Sequence, residues 1–281
     1  MDLPPFETLT VEADGPVGRL WLSRPDTLNP LSTGALEELA TAARWFDSRR
    51  DVRVVVVGGR GRAFSAGADV SSFGVPAGGD GRYARADADS GRRMADAVEA
   101  MEAVTIARVH GHCVGGGVVL AAACDLRVAA EDTRFAIPEV DLGIPLAWGG
   151  IPRLVREIGP AATKELVLTC RPFGAAEAKA LGFLNRVVAL DRLDEEVDGL
   201  AGELAGKAAL PLRATKRHVD AVTAAMVGTA RAWSDADSLL TALRDPEARA
   251  AAARYLEGLA DRRRQGRRPA LAGGEDPVAP E

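Results

Sequence analysis

Two glycine-rich stretches and one glutamate carry the chemistry this sequence could do. The stretches are "AFSAGAD" (63–69) and "HCVGGGV" (112–118), and each follows an apolar, strand-like run. Glycines at such turns cost backbone entropy, so something there must need bare backbone. Each turn would present N–H groups at its tip, and one from each, converging, would form an oxyanion hole. The second turn also opens a helix, which puts the donor near Gly116 at the positive end of a macrodipole. Tight strand–helix packing would call for the same glycines, so the turns alone leave both readings open. The glutamate is Glu139, in "FAIPEVDLG". Taken by itself it reads equally as a surface residue after a proline.

Other signatures are missing. Neither glycine cluster has the G-x-G-x-x-G spacing of a dinucleotide site or the G-x-x-x-x-G-K-[ST] of a phosphate loop. "FSAGAD" does not fit the G-x-S-x-G of an esterase elbow. His110, His112 and Cys113 stand close together, but a metal site needs a fourth ligand and a recognisable spacing, and the chain offers neither. Packing or hydrogen bonding is the expectation for the two histidines, with auxiliary acid–base work second.

The surrounding chain must position these groups. "TLTVEADGPVGRLWLSRP" alternates around a "DGPVG" turn and predicts a β-hairpin. Ser32 to Phe46 has helical spacing with Ser32 as N-cap. "DVRVVVVGG" (51–59) is too apolar for a strand with one wet face, so both faces should be covered. Residues 75–91 read as a polar loop, 92–103 as a helix and 104–114 as one strand running into the triple glycine. A helix at 116–124, a strand at 126–130 and a late strand at 184–190 follow. Strands alternating with helices imply an α/β fold with parallel sheet over residues 1–190. Residues 191–264 read as helices only, and 265–281 as a disordered tail.

With 281 residues and a net charge of −5, the chain favours neither nucleic acid nor an anionic membrane as partner. Three cysteines at no metal-like spacing suit a reducing compartment. No signal peptide and no apolar run of membrane-spanning length is visible, so the expected location is the cytoplasm.

Four stretches, "GRGRAFSAGADVSSF", "GHCVGGGVVLAAACDLRVAA", "TRFAIPEVDLGIP" and "ELVLTCRPFGAAEAKALGFLNRVV", come in an order and spacing that resemble the enoyl-CoA hydratase/isomerase (crotonase) family. The resemblance implies a spiral of ββα units, a helical C-terminal region used for trimerisation (a homotrimer or dimer of trimers), and acyl-CoA substrates. Coenzyme A then arrives as part of the substrate, with no separate cofactor and no metal. The resemblance also implies that the N–H groups of Ala68 and Gly116 bind the thioester oxygen. Thr27, Leu28, Ala66, Gly67, Asp69, Val70 and Gly115 would border the substrate and its CoA, and Val119 and Trp148 the acyl pocket. Arg24 is a candidate phosphate partner, and Lys216 with Arg217 could face a neighbouring subunit's CoA.

In hydratases of that family two glutamates flank a water, at positions that correspond here to Val119 and Glu139. A dienoyl isomerase or a dehalogenating relative would need an aspartate near 147, where this chain has alanine. The lone Glu139 resembles the arrangement of Δ3,Δ2-enoyl-CoA isomerases, in which one carboxylate moves a proton from C2 to C4. Isomerisation is therefore the leading expectation, hydration the second, and a CoA-ester-binding protein with little activity the third.

Overall fold

A computed structural model describes residues 3–69 and 81–264. Val70 and the expected tail at 265–281 lie outside the described residues.

The hairpin forms as read, from β1 (Leu9–Asp14) and β2 (Val17–Leu22). Helix α1 (Thr33–Ser48) starts where Ser32 Oγ accepts a hydrogen bond from Ala35 N. Strand β3 (Val54–Gly59) is buried along its whole length. Its side chains alternate, as strand geometry requires. Val55 and Val57 pack into a core with α1, while Val54 and Val56 meet Leu193, Val197 and Leu200 of α7 (Leu193–Ala205). The all-apolar "VVVV" run (54–57) is thus explained by cover on both faces.

The main sheet has six strands in the order β1-β2-β3-β4-β6-β9. Here β4 is Val104–Val109, β6 is Leu126–Ala130 and β9 is Arg186–Val188. Every pairing after the hairpin is parallel. A second sheet joins β5 (His112–Val114), β7 (Arg134–Ala136) and β8 (Phe173–Gly174). The single strand expected over 104–114 is therefore two. Gly111, at φ 59°, breaks it, and a Cβ there would lie 2.1 Å from Arg62 O. The chain leaves one sheet and joins the next at that residue, which carries the triple glycine away from the main sheet.

Between β3 and β4, residues 81–91 are helical, where a loop was expected. They belong to α2 (Gly81–Ala88) and the start of α3 (Ser90–Glu99). Helix α2 has little apolar surface of its own and packs on α9 (Asp235–Ala242), far away in sequence. That tertiary partner is what the local pattern cannot display. Helices α4 (Gly116–Ala122), α5 (Gly150–Thr169, broken at Gly159) and α6 (Ala175–Ala180) complete the βα part. After β9 there are only helices among the described residues: α7, α8 (Ala209–Met226), α9 and α10 (Pro246–Arg264).

Candidate active site

The first glycine bend is shaped by the segment before α1. Asn29, buried and at φ 54°, donates from Nδ2 to Arg60 O and Ala63 O at 2.9 Å each, and its Oδ1 accepts from Arg24 N. Ser65 Oγ donates to Asn29 O at 2.8 Å and accepts from Gly67 N. Leu28 O accepts from Ala66 N, and Leu31 bonds to Gly67 O and Asp69 N on either side of Ala68. That alternation, as in any ladder, turns the Ala68 N–H away from Leu31.

The second bend leans on the first. Ser65 N donates to His112 O, and Val114 N donates back to Ser65 O, at 3.0 Å each. Gly115 has φ 50° and ψ −114°, and its N–H bonds to Ala136 O. Gly116 is the first residue of α4, so its N–H has no intrahelical acceptor. Among the described residues, neither the Ala68 amide nor the Gly116 amide has a hydrogen-bond acceptor. The bends touch: a Cβ on Gly67 would lie 2.7 Å from Val114 O and 3.5 Å from Gly116 N. Bare backbone at both bends is thus a packing requirement and a display of donors at once.

Ala68, Gly116 and Glu139 border one cleft, lined also by Val119, Ile144, Pro145, Leu146, Ala147, Trp148 and Leu239. Glu139 begins a run of turns in which Leu142 N returns to Pro138 O and Ile144 N to Glu139 O. Its carboxyl lies over the second bend, where a Cβ on Gly115 would come within 2.4 Å of Oε1. Among the described residues, Glu139 Oε2 is buried without a partner. Burial pushes the carboxyl up to about 7. Val119 faces the same cleft, fully buried. Among the described residues the lining holds one acid and is otherwise apolar, and such an acid beside two unpaired amides can move a proton next to a polarised carbonyl.

The structure sorts the remaining candidates. Thr27 and Leu28 flank the first bend, with Leu28 left-handed at φ 65°. Asp69 receives Arg24 Nη1 at 3.5 Å, so this arginine already has a carboxylate partner. His110 is removed from the cleft lining. Its Nε2 bonds to Gly61 O and its Nδ1 to Arg108 Nη1, and burial pulls it below the ordinary imidazole value. Lys216 is turned inward, contrary to a role toward a neighbouring subunit: its ammonium holds Asp125 Oδ2 at 2.7 Å and Ala103 O at 3.0 Å. Arg217 pairs with Glu102. A buried ammonium needs such partners, and they lie 91 and 113 residues away in sequence, so the basic pair looked free from its neighbours alone. Asn29, Ser65 and the C-terminal Leu239 went unread for the same reason, although "NP" at 29–30 marks a turn.

Comparison with known proteins agrees with the motifs. The profile of the family described as enoyl-CoA hydratase/isomerase matches residues 12–262. A probable enoyl-CoA hydratase of Rhizobium meliloti is 40% identical over 200 residues, covering 71% of this chain and 76% of the relative. A peroxisomal Δ(3,5)-Δ(2,4)-dienoyl-CoA isomerase of Arabidopsis thaliana is 35% identical over 229 residues, 77% of this chain and 82% of the relative. The crystal structure of an enoyl-CoA hydratase from Mycobacterium avium subsp. paratuberculosis superimposes with a TM-score of 0.80 at 26% identity, covering 89% of this chain and all of that one. The two sheets, the glycine bends and these likenesses lead to one conclusion: the chain belongs to the enoyl-CoA hydratase/isomerase (crotonase) family and is an acyl-CoA enzyme of crotonase fold.

Proposed function

We propose that the enzyme shifts the double bond of an enoyl-CoA, with Glu139 as its single acid–base. The Glu139 carboxylate takes a proton from C2 of a 3-enoyl thioester, and the electron pair moves onto the thioester oxygen. Hydrogen bonds from the Ala68 and Gly116 amides stabilise that oxygen as charge develops, more than they stabilise the neutral ester. The dienolate then takes the same proton back from Glu139 at C4, leaving a 2-enoyl thioester. No water is consumed. A carboxyl near 7 holds both its forms at neutral pH, which suits a group that must accept and then return one proton.

The observation that carries this reading is that, among the described residues, Glu139 is the one carboxyl lining the cleft, with Oε2 unpartnered and a buried Val119 in the same lining. Hydration is the second reading, favoured by the names of relatives such as the Rhizobium protein. It needs a second polar group to orient water, and Val119 supplies none. Dienoyl isomerisation, the activity in the Arabidopsis relative's name, has Val119 and Ala147 against it where the family pattern would place acids.

The exposed apolar residues Leu210, Val219, Val222 and Met226 of α8, a helix with no buried residue, suit a further copy of the chain as partner, in a trimer or dimer of trimers. Three free buried thiols fit a reducing cytoplasm, and no helix among the described residues is long and apolar enough to cross a membrane.

A 3-enoyl-CoA mixed with the enzyme should gain the absorbance of the conjugated thioester. Glu139→Gln should lower the rate by about 100- to 10,000-fold. Equal rates would remove Glu139 from the reaction. Loss of absorbance from a 2-enoyl-CoA, with no gain from the 3-enoyl ester, would favour hydration.

A further inference from the structure

Trp148 is an unusual residue to find at a tight corner. It has φ 61°, a left-handed conformation that strains any side chain with a Cβ. Trp148 borders the cleft, yet one of the two residues that seat its ring, Gly91, does not. Gly91, on the first turn of α3, lies directly under the five-membered ring: a Cβ there would sit 2.0 Å from Trp148 Cδ2 and 2.2 Å from Cγ and Cε2. The six-membered ring lies over Gly116, where a Cβ would fall 2.2 Å from Cζ3. The indole is thus seated on two bare Cα atoms, one of them that of Gly116 in the second bend.

The main chain of the same corner is tied to the same helix. Arg153, wholly buried, donates from Nη1 to Gly149 O at 3.2 Å and to Trp148 O at 3.4 Å. Its Nη2 reaches Asp96 Oδ1 at 2.9 Å and Glu99 Oε2 at 2.5 Å, both on α3. From the other side, Asp235 Oδ2 of α9 accepts from Gly149 N at 2.8 Å. The ring rests on α3, and its backbone is pinned to α3 through Arg153. Such a wall does not yield to its ligand.

We propose that Gly91 is a positioning residue which, through Trp148, sets the length of acyl chain the cleft accepts. The inference rests on the acyl-CoA reading of the cleft but on no particular reaction. An apolar pocket discriminates by about tenfold or more per methylene only while its walls stay in place. Gly91 keeps the indole low enough to leave the cleft open, and Arg153 keeps its corner from relaxing.

The test uses dissociation constants of the full-length enzyme for butyryl-, hexanoyl-, octanoyl- and decanoyl-CoA, saturated esters that bind without reacting. Gly91→Ala lifts the ring and should change the preference between the shortest and longest ester by about tenfold. In a Trp148→Ala background the same methyl no longer meets the indole, and Gly91→Ala should then leave the profile within about twofold of Trp148→Ala alone. An equal change for all four esters, or a shift that persists without the indole, would overturn the proposal. If Gly91→Ala alone does not fold, recovery of folding by Trp148→Ala supports the contact, and a double variant that also fails to fold overturns it. Wild type that binds these esters selectively but converts no 3-enoyl-CoA would sink the isomerase reading and leave this one standing.

Discussion

The two ends of the cleft are built by different means. At the reacting end, most restraints on the bends are main-chain hydrogen bonds, or side chains such as Asn29 and Ser65 that bond to main chain, with the Arg24–Asp69 pair added at the edge of the first bend. At the acyl end, the walls are side chains, among them Ile144, Leu146, Trp148 and Leu239, kept in place by packing and by ions on α3, α5 and α9. The first end offers the same donors whatever residue occupies position 68. The second changes with each substitution. In the reading proposed here, chemistry belongs to the backbone end and selectivity to the side-chain end, and each can be damaged separately.

The largest effect should come from deleting an amide. Proline is tolerated at the first position of a helix and lacks the N–H, so Gly116→Pro removes one donor. Its ring would strike Trp148, so the variant belongs in a Trp148→Ala background. Relative to that background, kcat should fall roughly 100- to 1000-fold, or about 3–4 kcal/mol. A smaller loss would mean that the two bends do not hold the oxygen.

Next comes the acid itself. Its folded value, about 7, lies above the ordinary 4.5, so the native state holds this proton more firmly than the unfolded chain does. The resulting penalty is absent below about pH 4.5 and grows as pH rises through 7. Glu139→Gln should therefore melt like wild type at pH 4 and be more stable at pH 8, by up to about 3 kcal/mol. Wild-type kcat/KM on a 3-enoyl-CoA should fall about tenfold per unit below pH 7, as the base becomes protonated.

Asn29→Ala strips hydrogen bonds from the buried carbonyl of Ala63 and the half-buried one of Arg60, and should cost about 2 kcal/mol in a denaturant titration. Any accompanying loss of activity should appear in kcat more than in KM, because the bend rather than the pocket is loosened. Smallest is Leu239→Ala at the acyl end, expected to alter the KM ratio of long to short substrates by about 1 kcal/mol. If it lowered kcat as much as Gly116→Pro does, the separation of the two ends would be wrong.

The same division explains what the sequence made legible. Backbone devices leave local marks: the triple glycine, "SAGAD", the Ser32 cap and the doubly buried "VVVV" all stand in their own few residues. Side-chain devices leave marks only in pairs. Gly91 is unremarkable until Trp148 is placed on it, and Lys216 looks free until Asp125 is found beneath it. Helix α2 reads as loop because the surface that steadies it, α9, comes some 150 residues later. Strand 104–114 reads as continuous because a glycine in mid-strand does not say whether the chain bends or changes sheet.

Amides are common to every amino acid except proline, so the bends ask for glycine at the close approaches of 67, 115 and 116 but for no side-chain chemistry from residue 68. Descendants of this chain could exchange the occupants of 119, 139 or 147 and keep both amides, and with them the hold on a thioester that the proposed reading assigns to those amides. A new reaction would then lie one or two codon changes away, with no need to rebuild the anchorage first.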